Sequence, residues 1–131
     1  MKTKDPPVPF RRPRLLSEAA RVQRMQRGNR GLCFEFAWKE AAWYAGAKYP
    51  RPALTVMHGL VQGGIEHAWI ERGGWAYDWQ AFAIHGWGPV PIAEFYARNA
   101  PTNVVRYTAR RAMAAVSRTH HSGPWPKGEG R

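Results

Sequence analysis

The chain predicts an α+β domain, and two features of its middle third carry that prediction. One is a run with helical apolar spacing, Cys33 to Trp43; the other is a set of three short runs rich in β-branched and aromatic residues, set apart by glycine-containing dipeptides. Phe34, Ala37, Trp38, Ala41 and Ala42 recur at intervals of three and four, which puts them on one stripe of a helix, and Phe36 and Trp43 widen that stripe. Gly46 is suited to close the helix in a left-handed conformation. Leu54 to Val61, Gly64 to Glu71 and Gly74 to Gln80 each have strand length, and Gln62-Gly63 and Arg72-Gly73 between them suit tight turns, so the three pair in sequence as an antiparallel meander. The expected architecture is a helix packed on a small antiparallel sheet.

Composition bounds what such a domain does. At 131 residues the chain makes one domain with one core. Hydrophobic residues at 44% with seven tryptophans exclude disorder throughout. No apolar run approaches the length of a membrane helix, and the basic start is not followed by an apolar signal segment, so no membrane partner is expected. A single cysteine allows no internal disulfide, and a reducing, cytoplasmic setting is the expected one. Charge is uneven: residues 1–30 carry nine Lys or Arg against two acids (+7), residues 31–97 four against six (−2), and residues 98–131 seven against one (+6). The middle is slightly acidic and both ends are basic. Such ends either keep the chain soluble or attract polyanions, nucleic acid or an acidic protein among them.

The rest of the chain falls around this middle. Residues 1–14, with Pro6, Pro7, Pro9 and Pro13, are expected as an extended basic arm. Residues 15–118 form the domain, which begins with a short helix from Ser17 to Gln26 capped by Ser17. Tyr49 to Pro52 is a connection, and Ala81 to Ile84 are expected to extend the third strand. His85 to Pro91 make a loop, and Pro91 to Tyr96 a short helix with proline near its start. Val104 to Arg118 suit a basic amphipathic helix or a strand leading into one. Residues 119–131 are expected as a flexible tail. There is no internal repeat, no phosphate-binding glycine loop and no metal-ligand spacing, so neither cofactor nor metal is expected.

The chemistry-bearing residues are Cys33, His67 and Asp78. A free thiol, with a pKa of about 8.5, becomes a useful nucleophile at a helix N-terminus or beside an imidazolium. Gly28 to Gly31 suit a turn, which sets Cys33 in the first turn of the helix, where unpaired N–H groups favour an anion. If Arg72-Gly73 is the hairpin turn, Glu71 faces Gly74 and His67 faces Asp78, so the carboxylate orients one ring nitrogen while the other is free for the sulfur. His58 is the rival base, because a two-residue Gln62-Gly63 turn would set it opposite His67. Only His67 has a facing carboxylate.

Cys33 at a helix start, His67-Ala68-Trp69-Ile70-Glu71 on one strand and Tyr77-Asp78 on the next resemble the core of the transglutaminase-like branch of the papain-like cysteine enzymes. That branch holds transglutaminases, bacterial transglutaminase-like proteases and the leader peptidases of lasso-peptide biosynthesis. The resemblance covers residues 28–90 and implies Cys33 as nucleophile, His67 as base and Asp78 as its orienting residue, acting on a peptide or protein substrate. Many members follow the aspartate with proline; here Trp79-Gln80 follow. For the developing oxyanion, the cysteine's own N–H and a side-chain donor are needed, with Asn29 and Gln26 as candidates. Trp69 and Trp79 are candidates for the substrate-facing wall, and Trp75, Trp79 and Trp87 fall about the site, where in a papain-like cleft they would screen the imidazole from water or else fill core. The competing expectation is a non-catalytic basic protein that binds nucleic acid or an acidic partner as an inhibitor or adaptor.

Overall fold

A computed structural model of the chain describes residues 32–45 and 54–125. The basic arm, the helix expected from Ser17 to Gln26, the connection at Tyr49 to Pro52, and Asn29 and Gln26 all lie outside the described residues. Within them the order is α1 (Leu32–Ala45), β1 (Leu54–Val61), a 3₁₀ turn (Gln62–Gly64), β2 (Ile65–Arg72), β3 (Trp75–Tyr77), α2 (Trp79–His85), β4 (Val90–Pro91), α3 (Ile92–Asn99), β5 (Thr102–Thr108) and α4 (Ala109–Thr119). The five strands form one antiparallel sheet in the order β4-β3-β2-β1-β5. The class is α+β.

Alternation along the strands divides the core in two. Leu54, Val56, Ala68, Ile70, Tyr77 and Tyr107 pack with α1 and α4, while Met57, Trp69 and Ala76 pack with Phe95 of α3. Ala37 and Ala41 on α1, and Ala112 and Ala115 on α4, are each fully buried. Small side chains at helical spacing let the two helices lie close over the sheet, which fixes the direction in which α1 presents its head.

Both hairpin registers differ from the expected ones, and the reason is backbone conformation. The second turn is Gly73-Gly74, with φ of 59° and 87°, and pairs Glu71 with Ala76. A two-residue turn of this hand needs positive φ at both positions, which glycine adopts freely and Arg72 does not. His67 therefore has no partner in β3. The first turn takes three residues, so His58 pairs with Ala68 and His67 with Gly59. Since neighbouring residues of a strand face opposite ways, His58 and His67 lie on opposite faces of the sheet; His58 is removed as a rival base because its ring is enclosed by Phe34, Tyr107 and Trp125 and neither nitrogen has a hydrogen-bond partner among the described residues.

The third strand also ends early. Trp79 to His85 are helical, where an extension of that strand was expected through Ala81 to Ile84. The Asp78 carboxylate accepts the Ala81 N–H at 3.2 Å, and Gly86 closes the helix in the left-handed region. Asp78 is thus an N-cap, and β3 stops at Tyr77 because the next residue begins a helix.

Residues 119–125, expected within the tail, pack on the domain. Trp38 Nε1 donates to Ser122 Oγ at 2.9 Å, and Trp125 is buried against His58 and Tyr107. Gly123 is the tight point, with a φ of 112°, and a Cβ added there would stand 2.7 Å from His58 Cε1. Gly123→Ala is therefore expected to cost about 1–3 kcal/mol, seen as a lower urea midpoint with unchanged slope.

Candidate active site

The sequence places a thiol, an imidazole and a carboxylate on three elements, and the fold brings them together. Cys33 is the second residue of α1, His67 lies near the start of β2, and Asp78 caps α2. His67 Nε2 stands 2.9 Å from Asp78 Oδ2, and Cys33 lies near enough to the same ring to raise its affinity for a proton. With Nε2 held by the carboxylate, Nδ1 is the ring nitrogen left for the sulfur. The geometry differs in origin from the expected one: Asp78 meets His67 after leaving the sheet, by way of a helix cap, and not across a ladder pair. Oδ1 caps the helix while Oδ2 holds the ring.

Electrostatics follow from burial and charge. Burial by itself pushes the His67 imidazole down; the hydrogen bond and charge of Asp78, then those of Cys33, outweigh it and raise the group from 6.5 to about 10. At neutral pH the ring carries a proton. Cys33 and His67 are almost fully buried, yet both line a cleft of ≈ 1060 Å³ that reaches the surface, and Asp78 lines it too. Cys33 is thus nearly covered by protein and still part of the cleft wall.

The His-Ala-Trp-Ile-Glu segment divides into two jobs. His67 serves the cleft. Trp69 is 1% exposed, and its Nε1 donates to Glu71 Oε2 at 3.0 Å, while Glu71 Oε1 accepts from Arg106 at 3.2 Å. Trp69 ties β2 to β5 through Glu71 and stacks beside the His67 ring at 6.2 Å; it is not presented to substrate. Trp79 is likewise buried, with Phe36 as a ring neighbour at 5.8 Å, and does not line the cleft. Both indoles were candidates for the substrate wall, and both are packing instead, because each begins or sits within an element whose inward face they fill.

Other residues line the cleft that the sequence did not single out for it: Gln80 and His85 on α2, Arg98 on α3, and Ile65 at the start of β2. The signal for the α2 pair was an Asp N-cap followed by seven helix-compatible residues and a glycine. No protein-family model, curated protein or solved structure matches this chain. No described helix is long and apolar enough to cross a membrane.

Proposed function

We propose that the chain is a thiol-dependent acyl-transfer enzyme, a cysteine peptidase or amidase of the transglutaminase-like kind, acting on peptide or isopeptide amides. The observation that supports it is a buried imidazole hydrogen-bonded to the Asp78 carboxylate, with Cys33 on the wall of the same cleft. The Cys33 sulfur attacks the amide carbonyl carbon and forms the C–S bond. The developing oxyanion lies at the head of α1, where the first-turn N–H groups, that of Cys33 included, have no helical acceptor. His67 gives its proton to the amine nitrogen as the C–N bond breaks. The thioester remains, and His67, now neutral, takes a proton from water as the new C–O bond forms and the C–S bond breaks. A substrate amine in place of that water gives a transferase. A free thiol in this role suits a reducing, cytoplasmic setting.

The test uses the single cysteine. Iodoacetamide at pH 6 is expected to alkylate Cys33 about tenfold faster than a simple thiol, the gain in thiolate being partly offset by lower intrinsic nucleophilicity. His67→Ala returns the rate to that of a simple thiol. An ordinary thiol's pH profile in the unmodified protein overturns the proposal.

A second reading rests on Arg110 and Arg111, exposed on α4, and on the basic ends of the chain. There the fold is a scaffold for binding a polyanion. Salt-dependent retention on DNA with an ordinary Cys33 profile favours it.

A further inference from the structure

Three described large hydrophobic side chains are exposed, and two of them, Ile65 at 63% and Trp87 at 51%, lie on the wall of the same cleft as Cys33. Exposed apolar bulk costs solubility, and its concentration at one cleft calls for a ligand. Trp87 is held in place from two elements: the His85 ring at the end of α2 stacks on it at 4.4 Å, and the Arg98 guanidinium of α3 lies 5.6 Å from its centroid. Arg98 is anchored in turn by Glu94 at 2.9 Å. The indole is thus a fixed platform, not a loose side chain.

The strand beside it also has an edge without a strand partner among the described residues. β3 pairs with β2 only over Ile70 to Arg72, so from Ile65 to Trp69 that edge of β2 has no strand neighbour among the described residues. Gly64, Ile65, Glu66 and His67 all line the cleft. An unpaired strand edge recognises one kind of ligand in particular, an extended peptide that adds as a further strand and sends alternate side chains to the two faces. Ile65 stands two residues before His67, about 7 Å along the strand, so a peptide lying there passes Ile65 when its attacked carbonyl is at Cys33. Trp87 is on the wall of the same cleft, and Arg98, which it stacks with, accepts on its backbone carbonyl from Gln62 at the turn before β2.

We propose that the free edge of β2 binds substrate as an extended peptide strand and that Ile65 and Trp87 select a bulky apolar side chain two residues from the attacked carbonyl. The inference rests on Cys33 being the nucleophile, and its test separates the two. Epoxysuccinyl peptides are made with Leu, Phe, Ser or Asp two residues from the electrophile, the chain running in either direction, and their inactivation rates are divided by the iodoacetamide rate of the same protein. In one direction Leu and Phe are expected to react about tenfold faster than Ser and Asp, the gain from burying most of an apolar side chain. Trp87→Ser and Ile65→Asn, both at exposed positions, are expected to remove that preference from the ratio of peptide to iodoacetamide rates. Fast iodoacetamide labelling with no preference in either direction overturns the subsite alone, as does a preference that survives both substitutions. Labelling like that of a simple thiol overturns the nucleophile and the subsite with it.

Discussion

Asp78→Asn is expected to cut acylation of Cys33 by p-nitrophenyl acetate about 10²-fold or more while barely moving the melting temperature. The separation follows from the two oxygens of one side chain. Oδ1 caps α2 and Oδ2 holds His67. Asparagine caps a helix as well as aspartate does, so the fold keeps its cap; Asp78→Ala loses it, at about 1 kcal/mol. The charge is another matter. Asp78 is the main influence raising His67 to about 10, against a burial that pulls it down, so with a neutral amide only Cys33 is left to oppose the burial and the imidazole gives up its proton more readily. The His67 Cε1–H resonance is expected to titrate near 10 in the unmodified protein and at lower pH in Asp78→Asn. A raised histidine stabilises the fold fully below its unfolded value of 6.5, and that contribution fades as pH climbs through about 10. An unchanged His67 titration in Asp78→Asn sinks the assignment.

The class of the fold was legible because it rests on local patterns: helical spacing after Cys33, and strand runs split by glycine. The registers were not. Arg72-Gly73 and Gly73-Gly74 are both acceptable hairpin dipeptides to the eye, and the choice depends on which residues take positive φ. Gly73 and Gly74 take it at no steric cost, which moves the pairing by two residues and should have separated His67 from Asp78. It did not, because Asp78 leaves the strand and turns back as a helix cap. The expected contact therefore arises by a route the strand pattern does not contain. The aromatic residues erred in the other direction. Trp69 and Trp79, nearest in sequence to His67 and Asp78, fill the core, while Trp87, also expected near the site, lines the cleft.

His58 sets the acid limit of the fold. It is 5% exposed, ringed by Phe34 at 4.7 Å, Trp125 at 4.7 Å and Tyr107 at 5.0 Å, and neither ring nitrogen has a hydrogen-bond partner among the described residues. Desolvation in this aromatic setting pushes the imidazole down from 6.5 to about 3. The unfolded chain accepts a proton on His58 as pH falls below 6.5, while the folded chain refuses it until about 3, so stability declines across that window. The loss reaches roughly 5 kcal/mol at most once both states are protonated, at about 1.4 kcal/mol per unit. A buried imidazole with two unmet nitrogens is also a standing cost at neutral pH. His58→Leu, close in volume and without polar atoms, is expected to raise stability at pH 7.5 by about 1–2 kcal/mol and to flatten the acid limb. Urea midpoints of both proteins at pH 7.5, 5 and 4 make the comparison, and carboxylates that also titrate there cancel between them. His67 does not confuse the result, since a raised group keeps its full contribution throughout this range. If the two proteins lose stability in parallel between pH 6.5 and 4, the His58 nitrogens have a partner, and the aromatic setting is not what holds the ring neutral.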